Sequence, residues 1–89
     1  MRKPNFTKQF EKDVKRIRKR GKSLQKLNMI MTELISEKPL EKQYKDHILI
    51  GNYKGRRECH IDPNWLLIYK LDKDEIIFER TGTHSDLFE

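Results

Sequence analysis

The stretch Arg56-Arg57-Glu58-Cys59-His60-Ile61-Asp62-Pro63-Asn64-Trp65-Leu66-Leu67-Ile68-Tyr69-Lys70-Leu71-Asp72-Lys73-Asp74-Glu75-Ile76-Ile77-Phe78-Glu79-Arg80-Thr81 decides the fold. Three runs rich in β-formers, 56–62, 65–71 and 75–81, are separated by the turn signals Pro63-Asn64 and Asp72-Lys73-Asp74, which reads as an antiparallel meander. With Pro63-Asn64 and Lys73-Asp74 as two-residue loops, Asp62 faces Trp65, His60 faces Leu67 and Glu58 faces Tyr69. Leu67 in turn faces Arg80, and Tyr69 faces Phe78. Paired residues share a face, so His60, Leu67 and Arg80 form one row, with the His60 and Arg80 backbones ~10 Å apart. Cys59, Ile61, Leu66 and Ile68 are then expected on the core face.

Upstream the period changes. Phe6, Phe10, Val14 and Ile17 form a helical stripe, with Asn5 or Thr7 as cap and Gly21 just past its end. Ser23 can cap a second helix carrying Leu24, Leu27, Met31 and Leu34, which Pro39 stops, Lys38 being its latest end. The short link predicts an antiparallel helix pair. Residues 48–50 read as a short strand or extended entry, and the segment before the first helix as an edge strand. The whole is a single α+β domain over 1–89, with the helix pair packed on one face of a small antiparallel sheet.

Composition narrows the functional classes. Of 89 residues, 38% are charged and 35% hydrophobic, which leaves a small core and no run long enough to span a membrane. The basic start Met1-Arg2-Lys3-Pro4 is followed by no apolar segment, and Cys59 is the sole cysteine, so a reducing cytoplasm is expected. The net charge of +6 is uneven: residues 1–45 carry +9 and residues 46–89 carry −3. A polycationic half attracts polyanions such as nucleic acid.

The candidate chemistries follow from residue types. His47, His60 and His84 are 13 and 24 apart, without paired metal-ligand spacing, so no metal or cofactor is expected. Cys59 reads as a buried structural thiol and not a nucleophile. Gly51, Gly55 and Gly82 are scattered and form no phosphate loop. RNA cleavage needs neither metal nor protein nucleophile, because the 2′-hydroxyl can attack its own phosphate. It needs a base, an acid and a stabiliser of charge on phosphorus. Histidine titrates at ~6.5, which suits both proton roles. Arginine suits the charge, and aromatic rings suit splayed bases. His47, His60, Trp65, Tyr69, Arg80, His84 and Phe88 supply these types, although each residue taken alone is equally at home in an ordinary surface or core.

The ordered motifs add to this. Tyr44-Lys45-Asp46-His47 is followed by Gly51-Asn52-Tyr53-Lys54-Gly55-Arg56-Arg57-Glu58-Cys59-His60, by Pro63-Asn64-Trp65-Leu66-Leu67-Ile68-Tyr69-Lys70, and by Phe78-Glu79-Arg80-Thr81-Gly82-Thr83-His84-Ser85-Asp86-Leu87-Phe88. Together these resemble the YafQ branch of the RelE-like toxins, the mRNA interferases of bacterial type II toxin–antitoxin pairs. The resemblance implies metal-independent cleavage of mRNA in the ribosomal A site and inhibition by a cognate antitoxin. It implies catalytic roles for His47, His60, Arg80 and His84; His84, just past Gly82 at the end of the last strand, is assigned as the general acid, with His60 or His47 acting as base or holding the scissile phosphate. It implies substrate contacts at Trp65 and Phe88.

Asn64 departs from the aspartate of the family pattern, and Asp62 is the candidate substitute. Lys8, Lys12, Lys15, Arg16, Lys19 and Arg20 are expected to dock on ribosomal RNA or to receive an acidic antitoxin segment. Two rival readings remain. ParE-type toxins share the fold and act by binding DNA gyrase, but generally lack this histidine set. A degenerate member would bind only its antitoxin.

Overall fold

The computed structural model describes residues 1–88, so the expected domain bound at Glu89 lies outside the described residues. Strand β1 (Lys3–Phe6) leads into helix α1 (Lys8–Lys19), then α2 (Leu24–Ile35), β2 (His47–Ile48), β3 (Arg57–Asp62), β4 (Trp65–Asp72), β5 (Glu75–Gly82) and helix α3 (His84–Phe88). Single 3₁₀ turns cover Lys42–Tyr44 and Gly51–Tyr53. The architecture is α+β.

Of the two expected caps for α1, Thr7 does the work, accepting from Phe10 N–H at 2.9 Å. Ser23 caps α2. Gly21 takes φ +81° and closes α1, so the chain reverses. The end of α2 returns to the start of the chain, where Arg2 N–H meets Ile35 C=O at 2.8 Å. That makes the helices antiparallel. Helix α2 stops before its expected limit because Glu37 turns left-handed (φ 63°), with the amides of Glu37 and Lys38 returning to the carbonyls of Leu34 and Glu33.

The sheet runs β1-β5-β4-β3-β2 and is mixed, not wholly antiparallel as expected: β1 pairs parallel to β5, opposite residues 75–78. The chain leaves β1, makes two helices over one face, and returns through the short edge strand β2 to finish in the meander.

Both hairpin turns fall where predicted, with Asp62 opposite Trp65 and Asp72 opposite Glu75. The registers beyond them differ. Ile61 has no partner on β4, so His60 faces Leu66, Cys59 faces Leu67 and Glu58 faces Ile68. Glu79 likewise has no partner, so Tyr69 faces Phe78 as expected but Arg80 faces Ile68 and Thr81 faces Leu67. Each bulge shifts its strand by one residue, which changes the face of every side chain beyond it.

The helix-side core therefore holds Cys59, Ile61, Trp65, Leu67, Tyr69, Ile76 and Phe78 with Phe10, Ile17, Leu27, Ile30 and Leu34. Leu66 and Ile68, expected on that face, instead point the other way and form a second, smaller cluster with Leu87, Leu49 and Tyr53. His60 and Arg80 lie on this second face, as neighbours of Leu66 and Ile68 respectively and not in one row through Leu67. Among the described residues no helix is long and apolar enough to cross a membrane.

Candidate active site

The second face of the sheet carries an unbroken line of rings. The His47 and His60 centroids are 6.1 Å apart, those of His60 and His84 6.2 Å, those of His84 and Phe88 6.0 Å, and Phe88 meets Tyr53 edge-on at 5.4 Å. Each ring is delivered by a different local cause. His47 stands on β2 directly across from Glu58. His60 is two residues along β3 from Glu58, so the strand alternation puts both on one face. His84 and Phe88 sit one helical turn apart on α3.

Glu58 joins the first two imidazoles. Its Oε1 lies 3.5 Å from His47 Nε2 and 3.3 Å from His60 Nε2, and its side chain is only 6% exposed. Sequence reasoning paired Glu58 with Tyr69; the β3 bulge places it here instead. His47 Nδ1 is also fixed, 2.6 Å from Lys45 C=O, so its Nε2 is the nitrogen that faces Glu58. The ligand atoms of His47, Glu58 and His60 fall within 4.8 Å of one another, close enough for a transition-metal ion. The histidine spacing gives no hint of this, because the trio is assembled across strands.

His84 Nδ1 lies 3.5 Å from Asn64 Oδ1. Asp62, the expected substitute for the missing aspartate, points to the helix side and forms an ion pair with Lys26 of α2. It therefore does not replace Asn64 beside His84. A cleft of about 340 Å³ opens next to His60, bordered by Lys26, Tyr44, Lys45, Asp62 and Pro63.

Two aromatic expectations are corrected by burial. Trp65 is 1% exposed and its indole donates to Thr81 Oγ1 at 2.9 Å, so it supports the site from within the core and offers no face to a base. Tyr69 is equally buried and donates to Asp46 at 2.6 Å. Phe88 is 44% exposed and is free to stack. Cys59 is fully buried, and burial pushes its thiol pKa up, which suits the structural role expected of it and leaves no thiol for oxidative pairing.

Arg80 does not pair with Glu79 or Glu58. Glu79 takes Arg56 at 2.6 Å, and Arg80 is held by Asp13 of α1, with Nε at 2.8 Å. Of the basic residues on α1, Lys8, Lys12, Lys15 and Lys19 are exposed. Arg16 and Arg20 have a structural task that the sequence does not reveal. Arg20 grips Asp86 of α3 with two bonds, 2.7 and 3.1 Å, and Arg16 approaches the same carboxylate at 3.4 Å. Asp86 and Thr83 also cap α3 reciprocally, each accepting from the other's backbone N–H. A Cβ on Gly82 would lie 2.8 Å from Asp86 Oδ2, so only glycine lets the carboxylate sit this close to the strand end. The orientation of His84 and Phe88 thus depends on an ion pair to α1.

The arrangement suits acid–base chemistry: one carboxylate within hydrogen-bonding range of two imidazoles, a third imidazole in ring contact with the second, and a guanidinium and an open aromatic ring on the same face of a small α+β domain. Residues 2–89 match the family model described as the bacterial toxin of type II toxin–antitoxin system, YafQ. The chain is 50% identical over 84 residues to the mRNA interferase toxin YafQ of Escherichia coli strain K12, covering 93% of this chain and 91% of that protein. The structure of YafQ in the E. coli DinJ–YafQ complex superposes with a TM-score of 0.93 at 48% identity, over 100% of both chains. A metal-bound toxin from Helicobacter pylori superposes with a TM-score of 0.93 at 40% identity, over 99% of this chain and 100% of that one. The chain belongs to the YafQ family of toxins of bacterial type II toxin–antitoxin systems.

The α3 anchor predicts a pH dependence. Arg20 first, then Thr83, hold the Asp86 carboxyl well below the usual carboxylate range. A depressed pKa stabilises the folded state fully above the unfolded value of ~3.9 and loses that contribution as the pH falls below it. Melting temperatures measured from pH 7 down to pH 2 should show a smaller acid-induced drop for Asp86→Asn than for the parent chain. Equal drops would mean that the anchor contributes nothing.

Proposed function

We propose that this toxin is an endoribonuclease that cuts mRNA in the ribosomal A site through the RNA's own 2′-hydroxyl. The observation that supports this best is the line His47–His60–His84 with Glu58 between the first two rings. Either His60 or His47 takes the 2′-hydroxyl proton, and Glu58 stabilises the imidazolium so formed, as a carboxylate does in other acid–base constellations. The 2′-oxygen bonds to phosphorus, giving a 2′,3′-cyclic phosphate. His84 donates its proton to the departing 5′-oxygen. The N–H groups of Arg80 that Asp13 does not occupy meet the charge on the phosphoryl oxygens. Phe88 stacks on a splayed base, and the exposed lysines of α1 dock on ribosomal RNA. A cognate antitoxin, as DinJ is in the E. coli complex, restrains the activity.

A metal ion on His47, Glu58 and His60 would occupy nitrogens that proton transfer needs, so its binding would oppose this reaction. Mapping mRNA 5′ ends in a purified translation system tests the reading. New in-frame cuts should need ribosomes, vanish with His84→Ala and persist with a chelator that removes transition metals but spares Mg²⁺. Unchanged 5′ ends would favour a gyrase-binding or a purely antitoxin-binding protein.

Asn64 bears on the rate. An amide can accept from His84 Nδ1–H but lends no charge to the imidazolium. A charge-assisted bond is roughly twice as strong as a neutral one, so Asn64→Asp should raise the single-turnover cleavage rate roughly fivefold, equivalent to about 1 kcal/mol. A slower or unchanged rate would show that Asn64 does not orient the acid.

A further inference from the structure

The Asp13 carboxylate is completely buried on a helix whose charged residues otherwise face solvent. A buried carboxylate persists only when it is paired and fully hydrogen-bonded. Asp13 meets that condition through one strand. Strand β1 covers β5 only as far as Phe78. Beyond that point α1 takes over the open edge: Thr7 N–H donates to Phe78 C=O at 3.2 Å and Thr7 Oγ1 to Glu79 C=O at 2.9 Å. Asp13 completes the cover. Its Oδ2 accepts from Thr81 N–H at 3.1 Å and from Arg80 Nε at 2.8 Å. Its Oδ1 accepts from Arg80 Nη2 at 3.3 Å and from Gln9 Nε2 at 3.1 Å, with Arg16 Nη2 at 3.9 Å.

We infer that Asp13 is a positioning residue, which locks the plane of the Arg80 guanidinium and aims its remaining N–H groups at the scissile phosphate. The inference rests on the proposed role of Arg80. Arginine has five N–H donors in a rigid fork. The Nε–H and one hydrogen of Nη2 are taken by Asp13, which leaves Nη1 and the other Nη2 hydrogen for substrate. Because the same carboxylate oxygen also holds the backbone of Thr81, the fork is referenced to β5 itself and not to a flexible partner. Transition-state stabilisation depends on donors that are already in place, and a misplacement of about 1 Å can cost on the order of 100-fold.

The test compares Asp13→Asn, Asp13→Glu, Arg80→Ala and the double variant Asp13→Asn/Arg80→Ala in the ribosome-dependent cleavage assay, with the full chain. Each Asp13 variant should lower kcat by roughly 10- to 100-fold with little change in KM. The double variant should be no slower than Arg80→Ala, since both changes remove one interaction. A role in folding alone would lower the melting temperature and leave kcat of the folded protein intact. One readout needs no variant to fold and no activity: in the parent chain the Arg80 Nε–H should give a slowly exchanging NMR signal at neutral pH. A rapidly exchanging signal overturns the inference. So does full kcat in a folded Asp13→Asn protein when Arg80→Ala is inactive. Full activity of Arg80→Ala would instead overturn the role proposed for Arg80, a result distinguishable from failure of the Asp13 coupling alone.

Discussion

The site depends on the register of three strands. Ile61 and Glu79 are the unpaired residues of two β-bulges, one on either side of β4. Without the first, His60 would face Leu67 and enter the helix-side core. Without the second, Arg80 would face Leu67 as well. With both present, an imidazole and a guanidinium move to the opposite face, beside Leu66 and Ile68. The first bulge also lets Ile61 and Asp62 serve the helix side together, one in the core and the other paired with Lys26. Bulges re-aim side chains in this way at sheet edges and beside active sites.

Once the face is set, three carboxylates organise the rest, Glu58 and Asp13 buried and Asp86 partly so. Glu58 ties β2 to β3 through two imidazoles, Asp13 ties α1 to β5 through Arg80 and Thr81, and Asp86 ties α3 back to α1 through Arg20 and Arg16. Each ties a separate element to a residue of the proposed chemistry. The basic surface of α1 is accordingly divided in function. Its lysines remain open to a polyanion, while Arg16 and Arg20 hold the helix that carries His84 and Phe88. A polyanion or an acidic protein segment that drew Arg20 away from Asp86 would act on the same contact that holds the helix of His84, the proposed general acid.

Much of this was legible in the amino-acid sequence. The stripes at Phe10/Ile17 and Leu27/Leu34, the caps at Thr7 and Ser23, and the turns at Pro63-Asn64 and Lys73-Asp74 all follow from local chemistry and appear in the structure. The shared face of His60 and Arg80 is also legible, although through the wrong register: two one-residue errors, one on each side of β4, cancel in the relation between them. The bulges had no local signal, since Ile61 and Glu79 are ordinary strand residues. The resemblance and its aromatic type both point Trp65 toward substrate, and neither reveals burial. Asp13 did leave a trace. It falls three residues after Phe10 and four before Ile17, on the buried stripe, and a carboxylate there calls for a buried cation. Glu58 left only its alternation with His60 along one strand, because its other partner, His47, comes from a different strand.

In the proposed reaction the substrate supplies the nucleophile and the protein moves the protons. The most direct measurement places a single 2′-deoxy nucleotide on the 5′ side of the cleaved bond in an mRNA held in the ribosomal A site. Occupancy of the ribosome by the toxin should be unchanged and cleavage at that bond absent, with the unmodified mRNA cut to a 2′,3′-cyclic phosphate and a 5′-hydroxyl. Cleavage of the deoxy-substituted bond would contradict the proposed reaction.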